Sequence, residues 1–266
     1  KGRYMIKKDI RAAELYKTMF TVAIPIVIQN LIGNSLTIVD TVMISSLGEA
    51  SVAAVGIAGR LQFLFVLITF GFYSGAGIFM AQYFGSRNFE RMRVTMAMQL
   101  VLGVMSSAVF MTIALVFPRW YMSIFSKDSQ VIELGIGYLK YLGWGFGMHA
   151  ISYAYIVSMR SIRDSLYPMY VSAIALIANT LLNYGLIFGN FGLPQLGVEG
   201  AAIATTISRF IEAGFMIYSV YFGSRFVLRA KLEDFRKIEA SFLSRYFKIA
   251  LPVIFNEGLW GFGTVM

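Results

Sequence analysis

Two carboxylates stand in stretches that are otherwise free of charge. Asp40 closes TIVD and is followed by the apolar TVMISSLG, and Glu257 lies between PVIFN and GLWGFG. An ionised side chain near the middle of hydrocarbon costs at least ~2.5 kcal/mol, so a carboxylate kept there tends to face a cavity and to act. Asp40 is therefore a candidate for taking up and releasing a proton or a metal cation; its plainer role is to cap the outer end of a helix. Glu257 has no basic neighbour in sequence and is a candidate proton carrier, or else an interfacial glutamate near a helix start. Asn179 and Asn183, four residues apart in IANTLLNYGLIFG, share one helix face. Their amide oxygens are hard neutral ligands suited to Na⁺, and the same amides serve equally well as hydrogen-bonding glue between helices. Arg209 and Glu212 are three apart and can form an ion pair. Arg60, in AVGIAGRLQFLF, either snorkels outward or lines a cavity. His149, in GFGMHAISYAY, packs between helices or relays protons.

The elements that must hold these residues are helices in a membrane. The 266 residues are 58 % hydrophobic and 14 % charged, which excludes a soluble globular domain, a disordered tail and a coiled coil. A crossing helix needs roughly 20 predominantly apolar residues. Uncharged or nearly uncharged runs occupy residues 18–39, 61–86, 94–118 and 141–159, the first part of 165–198, and 200–224, where only Arg209 and Glu212 interrupt. A seventh begins at Ile249 and reaches Met266. None alternates with a period of two, so these are helices rather than barrel strands. Asp40 lies 15 residues after Pro25, about 22 Å along a helix, in the outer half of the membrane.

The basic residues order these spans. Of the 23 Lys and Arg, 18 fall before span one or in the loops after spans two, four and six. Basic residues favour the cytoplasmic side, so the expected arrangement is a multi-pass protein of the cytoplasmic membrane with its N-terminus inside. The net charge of +9 thus reports orientation and contact with membrane lipid, not nucleic-acid binding. No cysteine is present and His149 is the one histidine, so a thiolate or multi-histidine metal site is excluded. No HExxH, P-loop or Ser/His constellation occurs, and an enzyme is not expected.

A repeat sets the organisation. FTVAIPIVIQNLIG from Phe20 aligns with FKIALPVIFNEGLW from Phe247, matching Phe, Ala and Pro in place and pairing Pro25 with Pro252 at an offset of 227 residues. Six spans followed by a restart is the pattern of a transporter built from two parallel halves. The expected divisions are a cytoplasmic N-terminal segment 1–17, a six-helix lobe 18–224, a basic linker 225–248 and the start of a second lobe 249–266. Doubling the offset gives a full protein of roughly 450 residues. Gly71 and Gly75 form a Gly-xxx-Gly pair that permits close helix approach.

Taken in order, AIP, VDTVMISSLG, AAVGIAG, GFYSGAGIFMAQYFG, NTLLNYGLIFG, GVEGAAIATTISR and LPVIFNEGLWGFG resemble the MATE family, the multidrug and toxic compound extrusion transporters. The resemblance covers essentially the whole chain. It implies an all-α, twelve-helix, two-lobed antiporter that exports drugs or toxic organic compounds by alternating access, driven by H⁺ or Na⁺ and needing no other cofactor. Its substrates are expected to be small molecules, chiefly organic cations, and its partner the second lobe of the same chain. It further implies a cation site built from Asp40, Asn179, Asn183 and Thr205, and identifies Glu257 with the family's span-seven acidic residue. Some members carry a second aspartate where this chain has Asn183, which leaves Asp40 as the sole carboxylate of that cluster. The alternatives are a lipid-linked oligosaccharide flippase of related fold, against which Arg60 stands as the one cation expected in the cavity, and a non-transporting membrane scaffold.

Overall fold

A computed structural model describes the backbone of residues 2–265; the side chains of residues 1–15, 18, 226, 257, 258, 260–262 and 264–266 lie outside the described residues. The elements are α1 (Gly2–Ser45), α2 (Glu49–Gly85), α3 (Phe89–Val116), α4 (Pro118–Phe125), α5 (Ser129–Ser161), α6 (Leu166–Phe188), α7 (Gly197–Tyr221), a 3-10 turn (Phe226–Leu228), α8 (Leu232–Arg236) and α9 (Ala240–Val265). There is no strand among the described residues. In lipid each helix satisfies its own backbone groups, and this removes the need for a sheet.

Local chemistry punctuates the helices. Gly48, at φ 101°, makes the turn between α1 and α2. The Asn88 side chain caps α3 by accepting from the Arg91 amide, and Asp128 caps α5 by accepting from the Gln130 amide at 2.8 Å. Pro118 opens α4, where its missing N–H costs nothing. Gly189, at φ 76°, ends α6 in the left-handed conformation. Pro25 and Pro252 both sit inside their helices, α1 and α9, so the two halves of the sequence repeat are also alike in local structure.

Among the described residues, five helices are long and apolar enough to cross a membrane: α1 from Met19, α2, α3, α6 and α7. The fourth expected span falls within α5, whose 33 residues give it the length. Its Trp, Tyr, Ser and His residues make it less apolar. It sits against α2, α3, α4 and α7, so its neighbours shield much of it from lipid.

The helices α1, α2, α3, α5, α6 and α7 form one lobe. Its core includes a Phe65–Phe110–Phe146 triangle, with ring centroids 4.9–6.1 Å apart. Toward the basic end Tyr73 donates to the Ala150 carbonyl at 2.9 Å. The Gly71–Gly75 face of α2 receives α9, as expected of the small-residue pair. A Cβ on Gly71 would stand 2.9 Å from the Ile254 Cα, and one on Gly75 3.0 Å from the Ala250 Cβ. Tyr246 ties the same two helices by donating to the Phe72 carbonyl at 2.5 Å.

The expected segment 1–17 is the first part of the continuous α1, and the expected linker ends inside α9, which begins at Ala240. The linker is fastened by ion pairs. Arg93 approaches Asp234 at 3.6 Å, Arg225 binds Asp164 at 2.6 Å, and Lys237 pairs with Glu90.

Candidate functional site

The polar residues of α1, α6 and α7 converge. On α6, Asn179 and Asn183 are both fully buried, and Thr205 of α7 is nearly so. Asn183 Nδ2 donates to Asp40 Oδ1 and, at 3.0 Å, to Asn179 Oδ1; Asn179 Nδ2 donates to Thr205 Oγ1 at 3.3 Å. With the Asn179 amide turned over, its nitrogen instead donates to Asp40 Oδ1 at 3.0 Å and its oxygen accepts from the Thr205 amide at 3.3 Å. Both arrangements join the same four residues. Asn183 Oδ1 is buried without a hydrogen-bond partner among the described residues. A buried carbonyl oxygen left unpaired is costly, and a cation would relieve it.

The chemistry of this cluster is narrow. It offers one carboxylate, two amide oxygens and a hydroxyl, all hard donors. No group of three or more His, Cys, Asp or Glu side chains converges among the described residues. The donor set fits a proton or a monovalent cation better than a divalent one. Asp40 is half-buried and opens onto a cavity of about 370 Å³ that is also lined by Thr37, Gln62, Tyr138, Thr205 and Arg209.

A larger cavity, of about 720 Å³, adjoins the first, and Gly33, Thr37, Gln62 and Arg209 border both. One polar network crosses its wall. Arg160 donates to Gln29 Oε1 at 2.7 Å, and Gln29 Nε2 donates to Ser172 Oγ at 2.8 Å. Ser172 donates to Glu212 Oε1 at 3.0 Å, while Ser152 and Arg209 donate to Glu212 Oε2 at 3.2 and 3.0 Å. Glu212 is 4 % exposed. A buried charge must be paired and hydrogen-bonded, and here one carboxylate collects donors from α5, α6 and α7.

Asp40, Asn179, Asn183 and Thr205 come together. The Arg209–Glu212 pair forms as the spacing predicts, but as part of the larger network. His149 lines the larger cavity. Its ring lies 5.7 Å from Tyr153 in a stack and 5.8 Å from Phe65, and both ring nitrogens are buried without a partner among the described residues. Of the two places open to Arg60, the surface is where its side chain lies. It is exposed, its guanidinium lies 5.1 Å from the Phe125 ring centroid, and it is not among the residues lining either cavity. Snorkelling over an aromatic ring accounts for it. Glu257 is on α9, but its side chain lies outside the described residues.

Several residues of the cavity wall and of the network behind it escaped the sequence. Arg160 counts there as one more basic loop residue, yet its side chain turns into the cavity. Gln29, Ser152 and Ser172 are uncharged polar residues in largely apolar runs. Only their helical register against Glu212, which no one-dimensional pattern contains, makes them a network.

Buried polar clusters at the meeting of apolar crossing helices, open to adjoining cavities, define a multi-pass, all-helical membrane protein. The MatE family model matches residues 25–185, more than half of the chain, and the chain belongs to the MatE family. It is 28 % identical over 212 residues to the probable multidrug resistance protein YoeA of Bacillus subtilis, covering 79 % of this chain and 45 % of that protein. It is 26 % identical over 230 residues to the probable multidrug resistance protein NorM of Thermotoga maritima, covering 86 % of this chain and 49 % of that one. In structure it is similar to a MOP superfamily transporter from Pyrococcus furiosus, with a TM-score of 0.80 at 21 % identity over 91 % of this chain and 52 % of that one. An outward-facing multidrug resistance MATE family transporter matches with the same score and coverage. The chain spans about half the length of the curated relatives it matches.

Proposed function

We propose that this chain supplies the first lobe, the linker and the start of the second lobe of a cation-coupled exporter of drugs or toxic organic compounds. Coupling is to H⁺ or Na⁺, and transport proceeds by alternating access of two lobes. The protein works in the cytoplasmic membrane with its N-terminus inside, surrounded by lipid, and exports small molecules, chiefly organic cations. The observation that carries this reading is the Asp40–Asn183 hydrogen bond at the wall of a cavity, next to an Asn183 oxygen that has no partner among the described residues.

In this mechanism Asp40 holds the proton or Na⁺, and Asn179, Asn183 and Thr205 supply neutral oxygen ligands and orient the carboxylate. A bound ion shifts a conformational equilibrium only through different affinity for the two states. Asp40 sits on α1, which also carries Pro25 inside the helix. A proline is a place where a helix can bend, and this makes α1 the element that answers occupancy. Glu257 acts as a second acidic group on the seventh span.

Transport of a lipid-linked oligosaccharide with an anionic pyrophosphate is the second reading. It draws on Arg160 and Arg209, the two cations lining the larger cavity. Both are already engaged, one by Gln29 and the other by Glu212, and this favours the drug exporter.

Efflux of a fluorescent cationic dye from vesicles holding the full-length protein tests the proposal. Wild type and Asp40→Asn are compared under imposed Na⁺ and H⁺ gradients separately. Gradient-driven efflux that is lost in Asp40→Asn supports the mechanism and names the ion. Efflux that survives in that variant removes Asp40 from the coupling step, and no dye movement in wild type favours the lipid-linked reading.

A further inference from the structure

The outer surface of the lobe carries a groove that the transport reading does not use. It has a volume of about 510 Å³ and an almost wholly apolar lining, with Val101, Val104 and Met105 of α3 on one wall, Ile217 and Tyr221 of α7 on the other, and Tyr155 of α5 in its lining. Phe235 of α8 stands at one end. Tyr221 and Phe235 also border a second hollow of about 390 Å³, lined by Arg229, Lys231 and Glu233. The apolar groove therefore runs into a pocket with two cations and one carboxylate.

The linker holds this pocket in place. Asp234 accepts from the Lys231 amide at 2.8 Å and faces Arg93 of α3 at 3.6 Å, and Lys237 pairs with Glu90. Tyr221 donates to the Ala230 carbonyl at 3.0 Å, and the Arg229 guanidinium lies 5.3 Å from the same ring. Neither Arg229 nor Lys231 forms an ion pair among the described residues, unlike Arg225, Arg93 and Lys237. Beside them, Leu232 is 86 % exposed and Phe222 is 79 % exposed. Large apolar side chains with unpaired cations beside them at the end of a membrane helix suit the boundary between acyl chains and headgroups.

We infer that this groove and pocket form one binding site for an anionic phospholipid of the surrounding bilayer. One acyl chain lies between α3 and α7, and the phosphate meets Arg229 and Lys231. Each basic residue at an anionic surface contributes about 1 kcal/mol, and the groove adds burial of an acyl chain. The lipid would bridge the membrane helices and the linker, so its occupancy would bear on how firmly the linker is held.

The test is native mass spectrometry of the full-length protein titrated with phosphatidylglycerol and, separately, phosphatidylcholine. Wild type should retain phosphatidylglycerol about thirtyfold better, the ~2 kcal/mol expected of two surface cations. Arg229→Gln with Lys231→Gln should bring the two lipids to near parity while thermal stability is unchanged. Val104→Trp, which fills the groove, should weaken retention of both lipids. A preference unchanged in the charge variant overturns the headgroup assignment. Undiminished retention in Val104→Trp, or glycerol phosphate binding as tightly as the whole lipid, overturns the role of the groove.

Discussion

Arg209 donates to Glu212 across 3.0 Å, one turn along α7, and the same guanidinium borders the cavity onto which Asp40 opens. The two side chains are 20 % and 5 % exposed, so the pair is shielded from water and its loss should be felt. Glu212→Gln leaves Arg209 without its counter-charge and weakens the acceptor for Ser152 and Ser172. Breaking a buried pair from one side costs about 3 kcal/mol, to be read from unfolding of the purified protein. Adding Arg209→Gln should recover most of that loss, because the stranded charge goes with it. An equal loss in the single and double variants would mean that the pair is not what holds this wall together.

Asn183 occupies the place where a second carboxylate would complete the cluster around Asp40. Asn183→Asp puts two acidic groups within hydrogen-bonding reach of each other and exchanges a neutral ligand for a charged one. Two carboxylates in one site bind a cation or share a proton more tightly than one. The half-saturating concentration of the driving cation in dye efflux should fall by about tenfold or more, a gain of ~1.4 kcal/mol. Asn183→Leu should raise it, since Asp40 loses a donor and the site an oxygen. If the cation dependence is the same in wild type and both variants, the ion binds elsewhere.

The extent to which this site was legible follows from the kind of signal each residue leaves. Asp40 is conspicuous because a carboxylate in an apolar run has few explanations. Asn179 and Asn183 are marked by a four-residue spacing that helix geometry turns into a shared face. Charge-free runs and basic loops mark the helices, and the repeat around Pro25 and Pro252 marks the restart. Arg160 reads in sequence as one of the basic loop residues, because loop and cavity wall are one side-chain length apart at the end of α5. Arg60 stays open between the surface and a cavity, because nothing in AVGIAGRLQFLF names Phe125, 65 residues away, as its neighbour. Gln29, Ser152 and Ser172 matter only through contacts between helices, which depend on crossing angle and rotation.

His149 is the residue whose role the structure narrows most. It stacks on Tyr153, touches Phe65 and finds no hydrogen-bond partner among the described residues. A proton relay needs partners within about 3 Å, and a packing residue needs only volume. His149→Phe should therefore keep thermal stability and dye efflux close to wild type. His149→Ala should cost ~2–4 kcal/mol by opening a void between the rings, as large-to-small substitutions in a core do. Loss of coupled efflux in His149→Phe with stability retained would restore the relay.

The contact between α6 and α7 that brings the two asparagines to Thr205 depends on a glycine. A Cβ on Gly200 would lie 2.6 Å from the Leu186 carbonyl oxygen, which also accepts from the Leu196 amide at 2.8 Å. The obstacle is backbone, so no rotamer change relieves it, and Gly200→Ala must push the helices apart near the cluster. Overpacking of this kind costs ~1–3 kcal/mol. Gly214 on the same helix has nothing within 4 Å of the position a Cβ would take, and Gly214→Ala should stabilise by ~0.5–1 kcal/mol through helix propensity alone. Unfolding of the two variants should move in opposite directions. In dye efflux Gly200→Ala should also need more of the driving cation, because Thr205 is drawn away from Asn179, while Gly214→Ala should leave that requirement unchanged. A Gly200→Ala protein that is destabilised but keeps its cation requirement would separate the fold of the lobe from the geometry of the site, and would remove Thr205 from the set of ligands.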